Sequence, residues 1–177
     1  IQLLAKHSNP SQIFWQKNRV NLPGNPRVFV FDDFIHVIDS LRYLANGPIV
    51  NLQVIPMFKN DLLSSLQVLW QQNDTVLNGS MNRESGLTEE RIEYFTMGNK
   101  WAINELNTGI HFKNEQQFPI LFDNWDTTSH KRGFDALFED WIQALDKTFD
   151  TKRNQDIWET HNLCETIVSS IEKQQKI

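Results

Sequence analysis

A single cysteine among 177 residues sets the first limit. Cys164 can form no internal disulfide and cannot build a Cys-rich zinc module, which suits a reducing compartment; the expected location is the cytoplasm. Basic residues are also scarce. Lys and Arg number 17 against 22 Asp and Glu, so the net charge is 17 − 22 = −5, and no dense basic cluster offers a surface for a phosphate backbone. Nucleic acid is thereby excluded as an expected partner. Long hydrophobic runs are absent, with no apolar stretch of about 18 residues to span a bilayer, so no membrane association is expected. The opening "IQLLAKHSNP" lacks the basic-then-apolar layout of a signal peptide and has no initiator methionine. It reads as the last turns of a helix, and residues 1–8 are expected to be the remnant of an element in a longer protein. Internal repeats and low-complexity tracts are absent.

What remains is one domain's worth of chain, enough to bury roughly 70% of the surface its unfolded form exposes. "SQIFWQKNRV" alternates as a strand should, with Ile13, Trp15, Lys17 and Arg19 on one face. Pro23, Gly24 and Pro26 then break the chain. From Phe31 to about Asn46 the period is helical: Phe34, Ile35, Ile38, Leu41 and Ala45 form an apolar stripe, and Gly47-Pro48 supplies a stop. Between Ile49 and Phe122 the period falls to two in short segments rich in β-branched and aromatic residues, close enough in sequence to pair antiparallel. Helices return from Ser129 or His130 to about Thr148, and from Asn154 to about Lys173 with Trp158, Leu163, Ile167 and Ile171 on one face. The expected fold is α+β over residues 1–177: a largely antiparallel open sheet with helices packed on one face.

The first of these helices carries unusual polar residues. In "VFDDFIHVIDSLRYL", Asp32, His36 and Asp39 lie at i, i+4 and i+7, on a face opposite the apolar stripe. A carboxylate beside an imidazole fixes its tautomer and raises its pKa, the arrangement used for general acid–base chemistry. The same three groups are compatible with metal ligation, and also with a solvated face in which Asp32 or Asp33 caps the helix.

"DDFIHVIDSLRYL" resembles the D-x-x-x-H-x-x-D signature that opens the first helix of the carboxy-terminal domain in the Gfo/Idh/MocA (glucose–fructose oxidoreductase / inositol dehydrogenase) family. The order of elements agrees over essentially the whole chain, including "HKRGF" at a late helix start. The resemblance implies that Asp32 and His36 face the nicotinamide and the substrate hydroxyl as catalytic residues, with Asp39 at the following position. It also implies NAD or NADP as cofactor, a sugar-like or polyol substrate, and a homodimer or higher oligomer paired through the sheet. Phe34 stands where family members often have glycine, so the pocket is expected to differ in shape. The chain has neither a G-x-G-x-x-G opening a βαβ unit nor a Glu-Lys-Pro segment. The resemblance therefore casts it as the substrate-side half of an oxidoreductase whose dinucleotide-binding domain is not in these residues. By itself such a half is expected to bind no cofactor and to be inactive.

Further candidates flank the helix. Lys17, Asn18 and Arg19 lie on the preceding strand, and the resemblance places that strand along the substrate cleft, where Lys17 and Arg19 could hold a hydroxyl-rich or anionic substrate; a charged strand end in water is the competing reading. Arg27 could pair with Asp33 or reach the cleft. His161 and Cys164, at i and i+3, read as a hydrogen-bonded histidine beside a buried thiol, so no metal site is expected. His111 and His130 have no partner the sequence identifies, and the six tryptophans read as core or interface anchors. Two functions stay open: half of an NAD(P)-dependent oxidoreductase acting on a secondary alcohol or carbonyl, or a non-catalytic oligomerisation or sensor module related to such enzymes. Because Trp70, Val76, Ile92, Phe95, Trp101 and Ile103 cannot all point one way, some apolar side chains are expected on the sheet's uncovered face.

Overall fold

The computed structural model describes residues 1–7, 9–120, 135, 138, 139, 141, 142 and 151–176. The period-two region forms seven strands: β2 (Ile49–Lys59), β3 (Leu62–Gln72), β4 (Thr75–Asn82), β5 (Glu89–Thr96), β6 (Asn99–Asn104), β7 (Thr108–Lys113) and β8 (Gln116–Ile120). Tight turns join them. Asn60 and Asp61, and likewise Asn114 and Glu115, all have positive φ, the geometry that matches a hairpin turn to the twist of its strands. β8 falls within the expected period-two region although Pro119 interrupts its pattern. As the last strand it needs ladder bonds on one side only, so proline is tolerated there.

The strand that precedes the helix, β1 (Gln12–Asn18), is inserted in the middle of the sheet. The order is β2-β3-β4-β1-β5-β6-β7-β8, with β1 parallel to β4 and antiparallel to β5. The result is the α+β class expected, an eight-stranded and mostly antiparallel open sheet.

Four described helical segments accompany it: α1 (Gln2–Ala5), α2 (Pro26–Phe29), α3 (Ile35–Leu44) and α4 (Thr151–Gln175), with a π-helical turn over Val30–Phe34 joining α2 to α3. The helix thus begins five residues earlier than its apolar stripe suggests. Pro26 does not break it but starts it, since its fixed φ suits the first helical turn and its missing N–H has no intrahelical partner there. Asn25 caps it, accepting a hydrogen bond from the Arg27 N–H at 2.9 Å. Asp32 and Asp33 are accordingly inside the helix, not at its cap. The helix expected from Ser129 or His130 to about Thr148, with His130, lies outside the described residues except for positions 135, 138, 139, 141 and 142, which are helical. None of the described helices is long and apolar enough to cross a membrane.

Packing follows from the alternation. Ile13, Trp15, Leu66, Val68, Trp70, Leu77 and Met81 are buried from the strands, and Phe34, Val37, Ile38 and Leu41 meet them from the helix. From α4, Leu163, Cys164, Ile167, Val168 and Ile171 close the core, whereas Trp158, expected on that face, is 59% exposed. Trp70, Ile92, Trp101 and Ile103 lie on the helix side, while Val76 and Phe95 fall on the other by strand parity. The helix crosses β4 at Gly79, where an added Cβ would sit 3.0 Å from Val37 Cγ1, 3.1 Å from Leu41 Cδ1 and 3.3 Å from Phe34 Cζ. Gly79→Ala should therefore destabilise the domain by about 1–3 kcal/mol through overpacking, read as a lower urea midpoint with unchanged slope.

Candidate functional site

The inward face of β1 runs Ile13, Trp15, Lys17, so its third side chain is a cation entering a largely apolar layer. A buried ammonium requires a counter-charge, and the π turn brings one: Asp33 Oδ1 lies 2.7 Å from Lys17 Nζ. Arg19, two residues on and on the same face, grips the same carboxylate with two prongs, Nε to Oδ2 and Nη2 to Oδ1, both at 3.1 Å. Arg83, just past the end of β4, approaches Oδ2 at 3.5 Å through Nη2, with its guanidinium over the Phe29 ring 4.3 Å from the centroid. The side chains of Lys17, Arg83 and Asp33 are only 8%, 5% and 13% exposed, and that of Arg19 is 27% exposed. Burial alone would push the Asp33 carboxyl up, but Lys17 and Arg19 outweigh it and hold the group below its ordinary range. Burial also pulls the Arg83 guanidinium down, and the positive charge of Arg19 adds to that against the pull of Asp33.

Loop contacts seal this end of the sheet. Arg19 N donates to Asn82 O at 2.8 Å, Leu22 N to Arg83 O at 2.8 Å, and Gly24 exchanges backbone bonds with Leu63 at 3.1 and 2.9 Å. Arg83 and Asp33 carry no signal in the sequence as site residues. Arg83 lies in a turn 64 residues from Arg19, and Asp33 is one of two adjacent aspartates whose facing depends on a π turn that α-helical spacing does not foresee.

The sequence-derived candidates separate into four places. Lys17 and Arg19 are together on Asp33. Asp32 and His36 are exposed on the outer side of the helix, next to that cluster in sequence, and neither makes a hydrogen bond or ion pair with a described residue. Asn18 points to the other side of the sheet, its amide donating to Glu89 Oε1 at 2.8 Å and its carbonyl accepting from Asn82 N at 3.1 Å. Asp39 accepts from Thr160 Oγ1 at 2.8 Å, which ties α3 to α4. Arg42 reinforces that junction by pairing with Glu159 at 2.7 Å and Asp156 at 3.1 Å. Arg27 reaches Glu165 on α4 through Nη1 at 2.9 Å, not Asp33.

The other described histidines have ordinary partners, and the thiol is buried. His161 Nδ1 pairs with Ile157 O at 2.8 Å, and Cys164 is fully buried with its pKa pushed up to about 12, chiefly by desolvation, so the thiol stays protonated. His111 pairs with Asn99 Oδ1 at 2.9 Å and stacks on Trp101, whose other neighbour in the stack is His7. Among the described residues no group of three His, Cys, Asp or Glu could hold a metal ion.

Comparison with known proteins identifies relatives of this arrangement. The family model described as YceM-like, C-terminal domain matches residues 1–115. A Gfo/Idh/MocA family oxidoreductase from Vibrio cholerae superposes with a TM-score of 0.88 and 30% identity over 96% of this chain and 55% of its own. A dehydrogenase from Clostridium difficile gives 0.83 at 20% identity, over 96% of this chain and 57% of its own. Levoglucosan dehydrogenase, solved in complex with NADH and levoglucosan, gives 0.72 at 12% identity, over 97% of this chain and 61% of its own. The chain thus spans a little over half the length of the first two of these structures. Among curated proteins none matches.

Removing Asp33 would leave three cations crowded together with no carboxylate between them. Asp33→Ala is expected to lower stability by about 3–5 kcal/mol, measured by urea unfolding at neutral pH. Because the folded-state pKa of Asp33 is lowered, its contribution is complete above its ordinary value of 3.8 and disappears as pH falls through the lower folded value. The stability difference between the native chain and Asp33→Ala should therefore be flat above about pH 4 and shrink below it.

Proposed function

The chain belongs to the YceM-like C-terminal domain family of Gfo/Idh/MocA oxidoreductases, and from that we propose that it is the substrate-side and oligomerisation half of an NAD(P)-dependent enzyme acting on a sugar-like or polyol secondary alcohol or carbonyl. The observation that carries the reading is the pairing of an uncommitted carboxylate and imidazole, Asp32 and His36, at i and i+4 on an exposed helix face beside the Lys17/Arg19 cluster. Most other polar side chains on this helix are spent on structural contacts. These two are not.

The residues present fit one end of a dinucleotide and not the other. Asp32 and His36 offer free hydrogen-bonding groups where a nicotinamide and a hydroxyl would meet, but the 177 residues hold no glycine-rich phosphate cradle, which a Rossmann domain elsewhere in the protein would supply. The dinucleotide, when bound, provides the hydride chemistry. The chain's own task is then the proton: the His36 imidazole would accept it from the substrate hydroxyl during oxidation and return it during reduction, while the Asp32 carboxylate, one turn away and not bonded to the ring here, would favour its charged form through space. The relative solved with NADH and levoglucosan supports a nicotinamide cofactor and a sugar-like substrate. Lys17 and Arg19 line the substrate side; Asn18 and Asp39 support the same region from behind. A reducing, cytoplasmic setting suits the one buried thiol.

The sheet face that no described helix covers supports association. Across β2, β3, β4 and β1 its outward positions are amides, hydroxyls and apolar groups, including Ile55 at 49% and Met57 at 59% exposure, with charge confined mainly to Glu89, Arg91, Glu93 and Lys100 farther along. A second copy laid face to face about a two-fold axis would remove this surface from water.

In the intact protein His36→Ala should lower kcat by roughly 10²–10⁴ with dinucleotide affinity little changed, measured by steady-state kinetics and nucleotide titration. Unaltered turnover would favour a sensor without catalysis. Light scattering at micromolar concentration should give a dimer mass, with more than about 1,000 Å² buried in total. A monomer mass would exclude pairing through the sheet.

A further inference from the structure

Asp33 has the four acceptor positions of a carboxylate, and all four are taken: Lys17 and Arg19 Nη2 on Oδ1, Arg19 Nε and Arg83 Nη2 on Oδ2. It can neutralise one charge where three converge. Arg83 is the least satisfied of the three. Its side chain is 5% exposed, its single ion contact is at the outer limit of 3.5 Å, and its Nε has no hydrogen-bond partner. The other acids nearby give it no hydrogen bond. Glu90, opposite Lys17 on β5, accepts from the Trp15 indole at 2.9 Å, and Asp32, exposed on the helix, acts on Arg83 through its charge alone.

A guanidinium held this deep with a donor unspent needs a reason, because a buried N–H without a partner is costly. Its placement is also rigid. The Phe29 ring covers one face of it, and the Gly24 Cα is bare where a Cβ would come 3.5 Å from Nη1. The cluster lies at the ends of the parallel pair β1 and β4, one residue from Asp32.

We infer that Lys17, Arg19 and Arg83, organised around Asp33, form a recognition site for an anionic substituent of the substrate, a carboxylate or a phosphoryl group. This rests on the oxidoreductase reading for the identity of the ligand as substrate, and it narrows the substrate from sugar-like molecules in general to sugar acids or sugar phosphates. A planar fork of guanidinium donors is the geometry that selects such groups over hydroxyls. The anion supplies acceptors beyond those of Asp33, which holds the three cations together.

The test is calorimetry on the intact protein, without dinucleotide, using glucuronate, glucose 6-phosphate, inorganic phosphate and glucose. At least one anionic sugar should bind tenfold or more tightly than glucose, and the two sugars separate carboxylate from phosphoryl recognition. Inorganic phosphate should compete with the sugar that binds. Arg19→Gln, at the more exposed edge of the cluster, should weaken anion binding at least tenfold, and Arg83→Lys, which keeps the charge and loses the fork, should weaken it as well. Equal binding of glucose and the anionic sugars, absence of anion binding, or undiminished binding in Arg19→Gln would overturn the inference. Dinucleotide reduction is measured separately: anion-selective binding without turnover would defeat only the oxidoreductase reading, and turnover of neutral sugars without anion preference only this one.

Discussion

The carboxylate of Asp33 is the point on which this end of the domain depends. Lys17 terminates the inward face of β1, Arg19 continues it, and Arg83 follows β4, so three cations meet where two parallel strands stop. Without a counter-charge their mutual repulsion and desolvation would splay the strand ends and the 19–25 loop that closes over them. The same carboxylate fixes how the helix is rotated about its axis. Once Asp33 is committed to the sheet, its neighbour Asp32 is carried to the exposed side of the helix, as is His36.

That rotation has a second determinant. Gly79 lets Val37, Leu41 and Phe34 approach β4 more closely than a side chain there would ordinarily allow, so the helix is pinned at its middle by packing and near its amino end by charge. The π turn at Val30–Phe34 reconciles the two. It adds a residue between the Pro26 start and the apolar stripe of α3, allowing Phe34 to stay in the core while Asp33 reaches the cations. π turns are found disproportionately at functional sites, and here the irregular turn bears the two aspartates.

The two faces of the sheet are specialised by the same alternation. One is covered by α3, α4 and the short α1, which anchors its edge through the Tyr94 hydroxyl on His7 O at 2.6 Å. The other carries few charges and several exposed aliphatic side chains, an arrangement suited to meeting its own copy. The catalytic candidates and these exposed aliphatic side chains therefore lie on opposite sides of one layer, joined at Asn18, whose side chain knits the strand ends from behind.

Local periodicity was sufficient for much of this. The alternation between Ile49 and Phe112, the stripe from Phe34 to Ala45 and the Gly47-Pro48 stop read directly, because side-chain direction in strands and helices is set by neighbouring backbone geometry. The shared helix face of Asp32 and His36 was legible for the same reason, as was the shared face of Lys17 and Arg19, whereas reading the first pair as a signature rested on the family resemblance and not on spacing. What tertiary structure alone decided is everything that joins distant segments. β1 enters between β4 and β5 because Trp15 and Ile13 find their burial there; the Pro26 start and π turn answer to the position of the sheet; and β8 exists only as an edge completing β7. Asp39 and Arg27 go to α4, more than a hundred residues away, and Arg83 comes to Asp33 across 50. A charge chooses its partner by distance in space, and sequence spacing reports that distance only within a single element.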